Sequence, residues 1–285
     1  MDRHTRELHA LEMSSPNTLS ASIKKLIAEA PKSYRVTPTA EQLADDARDA
    51  LECIETVMHA ITDAVRAQHT ERGFLGLQLL RASCDHGRAM MFLLAHNPLD
   101  MMGSALALHR AQIENFLRGV FYGAIATDAE LADFLENDQG PRRLNPNNKW
   151  QKIPIGELAT AVQEQVNRIE VAPVETGKLA RMVDNAWSPL CGMVHGGVAI
   201  HTLYADGQRQ IGCSVPAPVY YETTVNAVAI VNFSLTMSCT MAGIGREEDV
   251  DALEPALIRF HKFVQQHNAR LRQVGLSNMQ RRIGE

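Results

Sequence analysis

The chain has 285 residues and a formal net charge of −5, with 45% apolar, 21% charged and 5% aromatic side chains. That length supports one large domain or two modest ones with a real core, and the composition excludes wholesale disorder. No basic field covers the molecule, which argues against bulk clamping of long duplex DNA, and so few aromatics do not make a base-stacking platform.

Residues 1–38 read as a polar extension with one short amphipathic helix on Leu19, Ile23, Leu26 and Ile27. Met1 to Glu7 is mostly charged, with no apolar signal-peptide core behind it, and so points to a cytoplasmic protein. The cysteines are five, scattered and never in a C-x-x-C pair, which fits buried, reduced thiols better than disulfides or a zinc site.

From residue 39 to 274 the pattern is that of a helical bundle. Thr39 is placed to cap a long helix to about Arg66, with Leu43, Ala47, Leu51, Ile54, Met58 and Ile61 at three-to-four spacing. A second helix covers about 71–94 and stops at Asn97-Pro98; a third runs from about 100 to 126. Thr127 or Asp128 caps a short fourth helix, and a loop rich in Gly, Pro and Asn follows over 138–154. Its Arg142, Arg143, Lys149 and Lys152, with Trp150 among them, could contact phosphate or RNA, although a solvated connection is the commoner case. Helices resume over about 155–169 and 176–194.

Alternating residues over Ile200–Tyr204 and Gln210–Val215, around Asp206-Gly207, predict a β-hairpin within 198–216. A segment without charge, 223–245, is long enough to span a bilayer, but its Asn, Ser and Thr residues fit a buried central helix and no membrane role. The last helix runs over about 251–274, and 275–285 form a tail. The fold class is therefore all-α: an up-and-down helical bundle with one small β-hairpin insertion.

Phosphate-loop, dinucleotide, di-iron, H-E-x-x-H and G-x-S-x-G signatures are all absent, so no cofactor and no metal site is expected. Two polar features remain. Arg110, Glu114 and Arg118 follow one another at i, i+4 and i+8, in line with the apolar positions Leu106, Ile113 and Leu117. Two guanidiniums around one carboxylate leave a local excess of +1, which suits an anion; an intrahelical ion-pair ladder is the plainer account. Downstream, Trp187-Ser188-Pro189-Leu190-Cys191-Gly192-Met193-Val194-His195-Gly196-Gly197 closes a helix. His195 and the two glycines there form either a helix cap or an acid/base group beside backbone N–H donors. His267 reads as a core residue, and His4, His9, His69 and His261 as surface residues.

The string from His109 to Gly119, with Trp187-x2-Leu190-x4-His195-Gly196-Gly197, resembles an uncharacterised family of all-helical bacterial proteins. That family shows an R-x3-E-x3-R-G helix and a W-x2-L-x4-H-G-G segment. The resemblance covers about Leu75 to Ile244 and implies that Arg110, Glu114, Arg118 and His195 lie together, without supplying a reaction. A more distant likeness is to HEPN-type ribonucleases of toxin and phage-defence systems, which cut RNA with an R-x4-6-H motif. Arg81-x4-His86 and Arg3-x5-His9 fit that spacing, about the number of matches that chance supplies here.

The leading expectation is a cytoplasmic homodimer that binds a small anionic ligand or RNA. Arg110, Arg118, Gly196, Gly197 and Trp187 would bind, and His195 and Glu114 would carry any catalysis. The alternatives are a metal-independent ribonuclease or effector of a defence system, and a scaffold in which the ladder only pins helices together.

Overall fold

The computed structural model describes residues 38–64, 70–168, 177–197, 200, 203–204, 217–243 and 253–273. The bundle is built from α1 (Ala40–Ala64), α2 (Glu71–His96) and α3 (Met102–Val120), a π-helical turn at Phe121–Ile125, and α4 (Asp128–Asn137). After the strands β1 (Arg142–Leu144) and β2 (Trp150–Lys152) come α5 (Ile155–Asn167), α6 (Lys178–Val194), α7 (Ala217–Met241) and α8 (Glu254–Gln273).

Side-chain caps set the starts of several helices. Thr39 and Gln42 exchange backbone and side-chain bonds at the head of α1, and Thr127 and Glu130 form a capping box on α4. Thr70 accepts from Gly73 N–H at the start of α2. Asn97 ends α2 and ties to Asp100 through both backbone and side chain.

α2 is the hub, packed along α3 and also against α1 and α7. The α2–α3 approach is close because glycines line it. A Cβ built on Gly76 would lie 2.8 Å from Gly123 Cα and 3.0 Å from the Gly119 carbonyl oxygen. Just past that crossing the helix widens, and Ala126 N–H reaches back five residues to the Phe121 carbonyl. Arg72 of α2 donates to the freed carbonyls of Tyr122 and Ala126 and to Asp128. The third helix thus ends in a π turn where the sequence pattern predicts a continuous α-helix.

α7 is long and apolar enough, over Val219–Met241, to cross a membrane by length and composition. In the fold it is a central helix packed on α1, α2, α3 and α8, with Ala227, Ile230, Val231 and Met237 fully buried. Four of its hydroxyls bond within the helix: Thr224, Ser234, Thr236 and Thr240 each donate to the carbonyl four residues earlier. α8 is fixed to α1 by Arg259, which donates to the Asp49 carboxylate and carbonyl, and by Arg270, 2.7 Å from Asp46. Burial pushes the Asp46 carboxyl upward, against the opposing field of Arg270. His267 is buried there as expected, with the Tyr221 and Phe263 rings each 5.6 Å away.

The all-α bundle with one small hairpin stands, and the hairpin among the described residues is β1–β2. β1 and β2 pair antiparallel, Arg142 opposite Lys152 and Leu144 opposite Trp150, inside the segment expected to be irregular. Asn145 closes the turn by accepting from Asn147 and Lys149 N–H, and Asn148 takes φ 55°. Of the hairpin expected at 198–216, Ile200, Leu203 and Tyr204 are helical, and the remainder lies outside the described residues. The expected 1–38 extension, save Pro38, and the 275–285 tail also lie outside them.

Candidate functional site

α3 carries the ladder because its buried face is broad. Leu106, His109, Ile113, Phe116 and Leu117 are all buried, while Arg110, Glu114 and Arg118 lie along one edge of that face, half-buried. Arg118 Nη2 is 2.6 Å from Glu114 Oε1, a strong charge-assisted contact. Arg110 Nη2 is 3.6 Å from Glu114 Oε2, an ion pair too long for a hydrogen bond. The carboxylate is therefore shared unequally.

α6 packs on α3 at this edge and completes the surroundings of Arg110. The Arg110 guanidinium carbon stands 5.0 Å from the centroid of the Trp187 ring, and its Nε donates to Cys191 Sγ at 3.3 Å. Trp187 and Cys191 are one helical turn apart, so they present to α3 together. Cation–π attraction and a soft sulfur acceptor hold the guanidinium without neutralising it. Its two terminal nitrogens keep unused donor capacity.

At the other end, Arg118 reaches the hairpin. A Cβ on Gly140 would come within 3.4 Å of Arg118 Nη2, and Arg118 Nε is buried with no acceptor in the described structure. Tyr122 lies within range of Arg118 and Arg142; burial pushes its phenol up to about 12, with both cations opposing. Arg142 grips Asp133 of α4 through two nitrogens, at 2.9 and 2.5 Å, and lies over Trp150 at 5.7 Å. Arg143 pairs with Glu130 at 2.8 Å. Two of the four cations read as loop charges thus dock the hairpin on α4.

His195 is the Ccap of α6, and it is exposed. Gly196 takes φ 71°, and Gly197 N–H reaches the Gly192 carbonyl at 2.6 Å while His195 N–H reaches Cys191. This is a Schellman closure, in which the left-handed position goes to glycine because a Cβ would strain it. His195 follows Trp187 and Cys191 on the same side of α6. Its side chain makes no hydrogen bond or ion pair among the described residues, so the ladder and His195 are brought to one region without a direct link. Arg81, one half of the Arg81-x4-His86 string, pairs with Asp85 at 3.2 Å and donates to Thr62.

Cys191 was readable only as a thiol, although its four-residue spacing from Trp187 placed both on one face. Nothing in the spacing of the chain marks His109 and Gln112 as a buried polar pair. They are buried where α2, α3 and α7 meet: His109 Nδ1 bonds Gln112 Oε1 at 3.0 Å, and Gln112 Nε2 donates to the Ala227 carbonyl at 2.9 Å. Burial pulls the His109 imidazole down to about 4, which keeps it neutral. Among the described residues no group of three or more His, Cys, Asp or Glu is arranged to hold a metal ion.

Comparison with curated proteins yields no match, and comparison with solved structures yields none either. A family model matches residues 80–257, a span that takes in the ladder, the hairpin and the whole of α6 and α7. The chain therefore belongs to a family of unknown function, DUF6988.

Proposed function

We propose that the protein binds a small anion at the α3–α6 edge, with Arg110 and Arg118 as its donors. The observation that supports this most is the unequal sharing of Glu114: Arg118 takes it at 2.6 Å, leaving Arg110 at 3.6 Å over Trp187. One positive charge is left over in a half-buried place, and planar guanidiniums suit phosphate or carboxylate oxygens. Gly196 and Gly197 border the region on α6, and exposed His195 is the group available to donate to a bound anion or to move a proton. Glu114 positions the two arginines. In this reading the protein works in the cytoplasm, consistent with the free Cys53, Cys84, Cys191 and Cys239, of which all but Cys191 are buried.

The test is the thermal midpoint of wild type, Arg110→Gln and His195→Ala with increasing inorganic phosphate, pyrophosphate and a short oligoribonucleotide. A saturable rise in wild type that shrinks in folded Arg110→Gln supports the reading. No shift with any of the three probes overturns it. Cleavage of the oligoribonucleotide, lost in His195→Ala, would establish the ribonuclease alternative.

A further inference from the structure

The outward face of α2 carries Phe74, Gln78, Arg81, Asp85, Arg88 and Phe92, all exposed. The two phenylalanines are among the most exposed large apolar side chains described, at 55% and 65%. Successive members of this row are four, three, four, three and four residues apart. That averages 3.6 residues, one straight stripe along the helix, and its alternation of four and three is the spacing of positions that face a neighbouring helix, whereas α2 already buries its opposite face in its own bundle.

The order of the row is also self-complementary. In an antiparallel pairing of two α2 helices about a two-fold axis at position 83, Phe74 meets Phe92 of the partner subunit. Gln78 meets Arg88 of the partner subunit, and Arg81 meets Asp85 of the partner subunit. Each contact occurs twice, as a closed two-fold interface requires. The two aromatic pairs lie about 27 Å apart along the helix; between them Arg81 and Asp85 meet with opposite sign, while Arg88, paired with Glu55 of its own chain at 3.2 Å, meets a neutral amide. Within one chain Arg81 Nε already donates to Asp85 Oδ2 at 3.2 Å, with both side chains half-exposed. Asp85 Oδ1 has no bond among the described residues, and with the side chain half-exposed it is free to accept a second guanidinium.

The surface is shaped for such a contact. Asp85, Arg88, Ala89 and Phe92 stand at i, i+3, i+4 and i+7 and, with Leu93, line an open groove of about 330 Å³. Four residues at those spacings make the hole that receives a side chain from a facing helix. In this register the groove faces Gln78 of the partner subunit, with Phe74 of the partner subunit closing over Phe92.

From these observations we propose that a second copy of this chain docks on α2, antiparallel, to form a homodimer. The proposal stands apart from the anion site, which lies on α3 and α6. Sedimentation of the full-length protein at micromolar concentration tests it, together with two sets of variants. Wild type is expected to sediment as a dimer, and Phe92→Glu as a folded monomer by circular dichroism. Asp85→Arg is expected to weaken the dimer by about tenfold or more, because it sets two guanidiniums against each other, and Arg81→Asp with Asp85→Arg restores it. Mild oxidation of the double variant Gln78→Cys/Arg88→Cys should give a covalent dimer. Either cysteine alone should not, since each sits about 15 Å from its own copy in this register. A monomeric wild type, as when another segment of the same chain covers α2, overturns the proposal. So does a dimer that survives Phe92→Glu and Asp85→Arg and forms no cross-link.

Discussion

Arg110 on α3 lies over the indole of Trp187 on α6, 5.0 Å from its centroid, and donates a hydrogen bond from its Nε–H to the sulfur of Cys191 one turn further along. This contact aims a cation at the surface without cancelling it. Trp187→Leu should therefore weaken anion binding while costing the fold only about 1 kcal/mol, the scale of a partly exposed cation–π contact. Titration calorimetry with pyrophosphate and a urea unfolding curve separate the two effects.

Gly76→Ala is expected to destabilise the bundle by about 1–3 kcal/mol. Its new methyl would meet the Met241 sulfur at 2.8 Å, which can move, and backbone that cannot, Gly123 Cα at 2.8 Å and the Gly119 carbonyl at 3.0 Å. Gly196→Ala should cost less, about 1 kcal/mol, because its φ of 71° is strained for alanine but nothing lies within 4 Å. Urea midpoints of the two variants check the order.

Stability should fall as pH drops from about 6.5 towards 4. Burial holds both His109 and His267 down at about 4, with Arg270 assisting at His267. The unfolded chain takes up protons at these residues below about 6.5, and the folded chain does not until about 4. The neutral imidazoles' contribution is thus fully present above about 6.5 and is lost through that window, up to about 3 kcal/mol for each. Urea midpoints at pH 7, 6 and 5 give the slope, and His109→Asn should flatten it.

The hairpin should detach locally when Arg142 is lost. Arg142→Ala leaves the buried Asp133 carboxylate without its two-pronged donor, costing about 2 kcal/mol. Arg143→Ala should matter less, because that side chain is over half exposed. Hydrogen exchange at Arg143 and Gln151, which pair across the strands, reports the difference.

The helices were legible because their apolar positions recur every three to four residues and because Thr39 and Thr127 cap two of them with side chains. The π turn left no such mark. It depends on Arg72 of α2 satisfying the carbonyls of Tyr122 and Ala126. The hairpin was missed because strands of three residues are too short to show alternation, so its turn signal, Asn145-Pro146-Asn147-Asn148, stood alone. In contrast, Asp206-Gly207 drew the prediction to a stretch where Leu203 and Tyr204 are helical. The ladder was legible from its four-residue spacing. That Trp187 would cover Arg110 could not be read from the chain, since it depends on how α6 crosses α3.

The most direct test of the anion-binding account is calorimetric titration of wild-type protein and Arg110→Gln/Arg118→Gln with pyrophosphate at low salt. The account predicts one saturable site in wild type that weakens as salt rises and is absent from the folded double variant. Equal titration of both proteins, or no heat from wild type, would contradict it.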